Sequence, residues 1–301
     1  MKDYFLGENG FVWFMGVVES RQDPLKLGRV RVRIFGVHSD NKEILSTDSL
    51  PWASVMLPVI SSGISGFGWS KSFLVEGSVV MGYFRDGGFK QEPIILGSLP
   101  GKPFEYGNPN KGFNDPNRRS ADEESADYNV SFYPRHVGES DVSRLAVSEQ
   151  PHFSRPIDLA ARLTNITAIT TTWNQPAVSG LSTYPYNNTY ETESGHFLEF
   201  DDTTGNERIR LRHRLGSSIE MKENGDIIAI TRNNSYTITS NNNYVYISGD
   251  SIITVNGNVE LKGNNNISVS ATNNISLNAG GSISIAAGGP VTVNGSTINL
   301  N

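Results

Sequence analysis

The chain has 301 residues, 37% of them hydrophobic, and a mean hydropathy of -0.33; no run approaches the ~20 apolar residues that a membrane-spanning helix needs. Its formal charge of -6 excludes a generally basic nucleic-acid binder. The absence of cysteine removes disulfides, thiolate metal sites and cysteine nucleophiles together.

The first residues, Met1-Lys2-Asp3-Tyr4-Phe5-Leu6-Gly7-Glu8, lack a cationic start and an apolar core, so no secretory signal is expected. Residues 1–100 read as one small β domain. Residues 11–20 form a β-branched and aromatic run, and Arg29-Val30-Arg31-Val32-Arg33-Ile34 alternates with period 2. Further strands are expected at 52–57, 78–85 and 93–98. Asp23-Pro24, Ser61-Ser62-Gly63, Asp86-Gly87-Gly88 and Leu99-Pro100-Gly101 punctuate them as turns. Five strands without a helix, closing within roughly 90 residues, predict a barrel of the OB type.

Residues 101–190 change texture, with proline at 103, 109, 116, 134, 151, 156, 176 and 185 and only a hint of helix at 158–162. This stretch reads as an extended proline- and asparagine-rich linker. Residues 191–232 read as a short-stranded β region. Strands at 195–200, 208–213, 218–221 and 227–231 are separated by Asp201-Asp202-Thr203-Thr204-Gly205-Asn206 and Glu223-Asn224-Gly225-Asp226 turns.

From 233 to 301 a repeat takes over. Apolar pairs at i and i+2 recur as Val245 with Ile247, Ile253 with Val255, Val259 with Leu261 and Ile267 with Val269. They continue as Ile275 with Leu277, Ile283 with Ile285, Val291 with Val293 and Ile298 with Leu300. Gly249, Gly257, Gly263, Ala271, Ala279, Ala287 and Gly295 follow two positions behind. Most steps are eight residues, one is six and the last is seven. Two apolar residues per short strand cannot form a core within one chain, so neighbours must supply it. Octads suit three chains wound together as an intertwined β-helix, and these sixteen residues are the expected trimer core. With strands ~4.8 Å apart, eight units make a shaft of very roughly 40 Å. The fold class expected overall is all-β.

After Lys262 no Asp, Glu, Lys or Arg appears through Asn301. Such a stretch avoids the desolvation penalty of entering a membrane. The plainer alternative is a rigid β stack whose outside is simply Asn, Ser and Thr. An open β end templates aggregation, so a cap from another protein is expected at the C-terminal end.

Two constellations invite chemistry. Arg29, Arg31 and Arg33, with Trp13, Trp52 and Trp69 nearby in sequence, imitate a nucleic-acid groove. Residues 1–100, however, carry ten Lys/Arg and ten Asp/Glu, so no basic footprint exists. His196, Glu199, Asp201, Asp202 and His213 imitate a metal set, although the Asp-Asp-Thr-Thr-Gly run reads more simply as a hairpin turn. Asn165-Ile166-Thr167 is a formal glycosylation sequon in the polar linker. No catalytic, cofactor or metal residue is assigned, and an axial ion in the shaft has no support in the residues.

Several segments resemble the central baseplate spike of contractile-tailed phages. They are Trp13-Phe14-Met15-Gly16-Val17-Val18-Glu19 with Asp23-Pro24-Leu25-Lys26-Leu27-Gly28-Arg29, Leu50-Pro51-Trp52-Ala53-Ser54-Val55 and Val75-Glu76-Gly77-Ser78-Val79-Val80. Further on, Gly138-Glu139-Ser140-Asp141-Val142-Ser143-Arg144 and the run from Tyr184-Pro185-Tyr186 through Glu207-Arg208-Ile209 are similar too. The likeness covers nearly the whole chain in the expected order, and the valine-glycine-repeat spikes of type VI secretion are similar in plan.

The resemblance implies a homotrimeric needle on the tail axis of the virion, assembled in the bacterial host cytoplasm. Its OB domains would dock a trimeric baseplate hub protein, and its β-helix would open the host outer membrane on sheath contraction. Two departures matter. The lysozyme domain of the T-even version is missing, because residues 101–190 lack the helices it needs and nothing around Glu123 and Glu124 builds a cleft. The His-x-His iron site of some simpler spike tips is also absent, since His213 is the last histidine. The expectation is therefore a non-enzymatic structural spike without nucleic-acid partners or cofactors. The alternatives are a trimeric carbohydrate-binding tailspike or fibre and a spike with cell-wall hydrolase activity. No aromatic residue follows Tyr246, which speaks against carbohydrate grooves in the shaft.

Overall fold

The computed structural model describes residues 10–69, 72–105, 108, 110–116, 138–149, 164–168, 171–177 and 180–299. The helix hint at 158–162 and the pair Glu123 and Glu124 lie outside the described residues. Among these residues the regular structure is β throughout, apart from two short 3-10 turns at Thr47–Ser49 and Gly87–Phe89. Contacts divide the chain into two units, one formed by 1–166 and 172–245, the other by 167–171 and 246–301.

The first unit opens with the barrel foreseen from the alternation. Strands β1 (Val12–Ser20), β2 (Val30–Ile34), β3 (Trp52–Val55), β4 (Val79–Phe84) and β5 (Pro93–Ser98) close in the order β1-β2-β3-β5-β4. All pairings are antiparallel except β3 with β5. The period-2 pattern sends Phe14, Val18, Val30, Val32, Ile34, Ala53, Val80, Phe84 and Ile95 into one core. Each fully buried aliphatic or aromatic side chain there contributes about 1.5–3 kcal/mol. Gly16 and Gly82 are where backbones approach most closely. A Cβ on Gly82 would collide with the Ile94 carbonyl, and one on Gly16 would collide with the Arg33 carbonyl and Val32.

This connectivity fixes which loops share an end. Strands β1, β3 and β5 run one way, and β2 and β4 the other. The connections 21–29 and 56–78 therefore leave the barrel at one end, and 35–51 and 85–92 at the opposite end.

A buried ion pair ties the following segment to the barrel. Arg33 points off the outer face of β2 yet is fully buried, because residues 111–113 fold over it. It donates to Glu19 at 2.6 and 3.1 Å and to the Leu45 carbonyl at 2.8 Å. Glu19 also accepts from Thr47 Oγ1 at 2.8 Å and from the Phe113 amide at 2.9 Å. Burial alone would push the Glu19 carboxyl up, but these hydrogen bonds outweigh it and hold it below its ordinary value.

After a two-stranded piece, β6 (Ile166–Ala168) with β7 (Thr171–Trp173), comes a five-stranded antiparallel sheet. It comprises β8 (Asn187–Glu191), β9 (Phe197–Asp201), β10 (Arg208–Arg212), β11 (Ser218–Met221) and β12 (Ile227–Ile230), paired in chain order. The last four match the expected strands to within a residue or two. Strand β8 does not: Asn187-Asn188-Thr189-Tyr190-Glu191 has no apolar alternation, and it is a strand because β9 offers it a complete edge.

Candidate assembly site

The sheet β8–β12 is sided in an unusual sense. Its covered face is charged: Glu199, Asp201, Arg208, Arg210 and Glu220 are all buried. Arg208 meets Glu199 at 3.1 Å and Asp201 at 3.2 Å, and Arg210 meets the other Glu199 oxygen at 2.7 Å. Asn187 donates to Glu199 at 2.8 Å and to the Leu145 carbonyl at 3.1 Å. Arg208 also donates to the Gly180 carbonyl at 2.6 Å, and Ser182 to that of Leu145 at 2.9 Å. The cover is therefore drawn from around 145, some forty residues before the sheet, and from 180–182 just ahead of β8. Burial would raise the Glu199 carboxyl, but the Arg208 hydrogen bond and the two guanidinium charges outweigh it and leave it lowered.

The opposite face is apolar and open. Phe200, Ile209, Met221 and Ile227 form one row of cross-strand neighbours, and Leu198, Leu211 and Ile219 a second. Phe200, Ile209, Leu211, Ile219, Met221 and Ile227 are 40–69% exposed. A contiguous apolar sheet face of this kind marks a surface meant to be covered.

Beyond Ile230 the chain is extended, and its bends are strictly periodic. They fall at 232–233, 240–241, 248–249, 256–257, 264–265, 272–273, 280–281 and 288–289, with a further one at 296. Six-residue straight segments lie between them. The apolar pairs occupy the fourth and sixth places of segments 242–247 and 250–255, then the second and fourth places from 258–263 onward. The six-residue step in the pair spacing is thus a shift of two within a constant octad. Side chains alternate along an extended segment, so a shift of two keeps the same face. By the same count, the seven-residue final step puts Ile298 at an odd place, and its mate Leu300 lies outside the described residues.

The single chain buries none of the expected core residues that the structure describes. Val245, Ile247, Ile253, Val255, Val259, Leu261, Ile267 and Val269 are all at least 48% exposed. Ile275, Leu277, Ile283, Ile285, Val291, Val293 and Ile298 lie between 50 and 72%. The reason is geometric. Two apolar side chains on a six-residue segment have no facing layer within their own chain, and no ladder within it satisfies the backbone. One chain therefore presents these residues as an open row rather than a core.

The earlier constellations resolve as structure. Arg29 pairs with Asp23 at 2.7 Å, and Asp23 also accepts from the Leu25 and Leu27 amides at 3.1 and 2.9 Å. The Arg29 hydrogen bond holds the Asp23 carboxyl well below the usual carboxylate range. Arg31 lies 4.5 Å over the Trp52 ring and donates to the carbonyls of Thr47, Asp48 and Leu50. With Arg33 committed to Glu19, the three arginines present no joint phosphate-binding face. Glu199 and Asp201 are held by arginines, and Asp202-Thr-Thr-Gly-Asn is a turn closed by the Asn206 amide on the Thr203 carbonyl at 2.9 Å. The His196 and His213 rings meet at 4.5 Å, tilted 51° to one another. Among the described residues no three His, Cys, Asp or Glu side chains gather as a metal set.

Sequence reasoning missed the open face of the sheet and the link between sheet and barrel. The alternation at 197–201 and 208–212 carried the first signal, since Glu-x-Asp and Arg-x-Arg across adjacent strands are complementary. In the link, Arg21 donates both Nη atoms to Glu193 at 2.7 and 2.6 Å and sits 3.2 Å from Glu76.

Comparison with known proteins agrees with this architecture. Residues 36–155 match the family model described as Gp5 N-terminal OB domain. The chain is 33% identical over 256 residues to "Protein Gp5" of Vibrio phage KVP40, covering 73% of this chain and 58% of that protein. It is 41% identical over 135 residues to "Pre-baseplate central spike protein Gp5" of Enterobacteria phage T4, covering 43% of this chain and 21% of that protein. The likeness to a baseplate spike read from the residues is borne out, as is the OB barrel. The chain spans just over half the length of the first relative and about a fifth of the second.

Proposed function

Starting from this likeness to Gp5 spike proteins, we propose that the chain is the structural central spike of a phage baseplate, a homotrimer without enzymatic activity. In this reading the octads of three copies wind into a triple-stranded β-helix. The sheath supplies force on contraction, and the shaft pierces the host outer membrane because each rung is hydrogen bonded to its neighbours and interlocked with two other chains. The barrel docks the baseplate hub, a separate protein covers the C-terminal end, and the reading calls for no cofactor.

The observation that carries the proposal is the constant eight-residue spacing of bends from 232 to 296, with the apolar pairs from Val245 to Val293 held on one face and uncovered in the single chain. Sixteen apolar residues left in water would forfeit about 0.8 kcal/mol for each CH₂ not buried. Neighbouring copies remove that cost. The absence of charge after Lys262 suits a shaft that must enter lipid.

The test is the solution mass by light scattering on a sizing column. The chain is 32.9 kDa, so a trimer gives 3 × 32.9 = 98.7 kDa. A monodisperse monomer would overturn the intertwined shaft and the spike with it. For the hydrolase alternative, a zymogram on purified peptidoglycan is expected to remain uncleared; a cleared band at the chain's mass would make this an enzyme.

A further inference from the structure

One end of the five-stranded sheet carries two histidines that the spike reading leaves unused. Strands β9 and β10 pair Phe197 with Arg212, so His196 and His213 are the next residues outward on the two strands. Each sits in a tight turn. In 192–196 the Thr192 amide donates to the His196 carbonyl at 2.8 Å, and the His196 amide to Thr192 Oγ1 at 3.1 Å. In 213–217 the His213 amide donates to the Ser217 carbonyl and the Gly216 amide to the His213 carbonyl, both at 2.8 Å. The two rings meet at 4.5 Å.

Both imidazoles act as acceptors. The Arg214 amide donates to His196 Nδ1 at 3.3 Å, a bond from one turn to the other, and the Leu215 amide donates to His213 Nδ1 at 3.2 Å. His38 on the barrel uses the same atom, taking the Ile34 amide at 3.0 Å. An Nδ1 that accepts carries no hydrogen, so the neutral ring has its hydrogen on Nε2. An imidazolium has a hydrogen on both nitrogens and would set Nδ1–H against the amide N–H. Burial, followed by the His213 and Arg214 charges, holds His196 below the ordinary histidine value. Of the other charges at this sheet end, Glu191 accepts from Ser143 and Glu193 is held by Arg21. Arg212 lies over the Phe197 ring, acted on by Arg232 and Glu220.

We propose that the His196–His213 corner is an acid-sensitive joint: neutral imidazoles hold the turns 192–196 and 213–217 together, and uptake of a proton by either ring lets them part. Every group involved belongs to one chain, and no partner is needed to assemble the joint. The first turn is also the one that Arg21, in the connection 21–29, grips through Glu193 at 2.7 and 2.6 Å. Loosening it therefore loosens the seam between sheet and barrel. Because the bonded form is the neutral one, the unfolded chain takes up protons more readily than the folded corner. The joint is complete above the ordinary histidine value and is lost as pH falls through it toward the lower folded one. That window opens well above the one in which Glu199 titrates, since Glu199 is held below the ordinary glutamate value.

Hydrogen exchange on the full chain tests the joint. It is followed at about pH 7.5 and about pH 5.5, either side of the ordinary histidine value of ~6.5, with intrinsic exchange rates divided out. Protection in 192–196 and 213–217 is expected to fall about tenfold or more at the lower pH, while strands β1 to β5 keep theirs. The double variant His196→Asn with His213→Asn presents an amide oxygen about where each Nδ1 stood and does not titrate. Its two turns should be equally protected at both pH values. A parent with equal protection at both values overturns the joint, and so does a double variant that keeps the parent's response. Labelling histidine with ¹⁵N gives a reading free of variants. At about pH 7.5 both rings should show the Nε2–H tautomer; an Nδ1–H tautomer at either ring would overturn the joint.

Discussion

Ile275→Asp and Ile283→Asp are expected to prevent assembly to 98.7 kDa or to lower the melting temperature severely. Both sit at the second place of their straight segments, 274–279 and 282–287. In an intertwined shaft each buried carboxylate loses isoleucine packing and gains an unsolvated polar group, together roughly 4 kcal/mol or more per chain. Three-fold symmetry repeats the loss three times at one level of the axis and sets three like charges close together. The proper controls are Ser276→Asp and Ser284→Asp, one residue along and hence on the other face. These should stay within about 0.5 kcal/mol of the parent. Parent-like melting of the isoleucine variants, or equal damage from the serine variants, would show that the even places do not face inward.

The second large effect concerns the charged face of the sheet. Glu199→Gln leaves Arg208 and Arg210 buried with one carboxylate fewer between them. Breaking a buried pair by removing one partner costs about 3–5 kcal/mol, because the remaining charge has no compensation. Asp201 still reaches Arg208 at 3.2 Å, so the greater burden falls on Arg210. Chemical unfolding followed by circular dichroism measures the loss, and a variant with the parent's midpoint would mean the network is solvated. The same carboxylate sets a pH dependence. Its folded value is lowered by Arg208 and the neighbouring charges against the pull of burial. Its stabilisation is therefore complete above the ordinary glutamate range and is lost as pH falls through the lower folded value. The parent should weaken on acidification over that window, and Glu199→Gln should be correspondingly flatter.

Neither effect would be evident from side-chain type alone. Arg208 and Arg210 alternate with Ile209 and Leu211, a pattern that ordinarily means arginine in water and aliphatics inside. The sheet reverses it, because the segments near 145 and 180–182 supply carbonyls that, together with the Asn187 amide, cover the charged side. The aliphatic side is left exposed. Arg33 repeats the lesson on the barrel, where an outward position on β2 is sealed by residues 111–113.

The sequence by itself determined the elements whose cause is local. Five barrel strands followed from period-2 alternation and from turns at Asp-Pro, Asp-Gly-Gly and Pro-Gly. The octads followed from paired apolar residues, and the likeness to a baseplate spike from their order along the chain. Tertiary structure decided what depends on distant partners. It made β8 a strand against β9, buried Glu19 with Arg33 and Glu199 with two arginines, and brought 21–29 and 56–78 to one barrel end. It also separated bend spacing from pair spacing, since backbone corners keep their octad while side chains need only preserve the parity of their face.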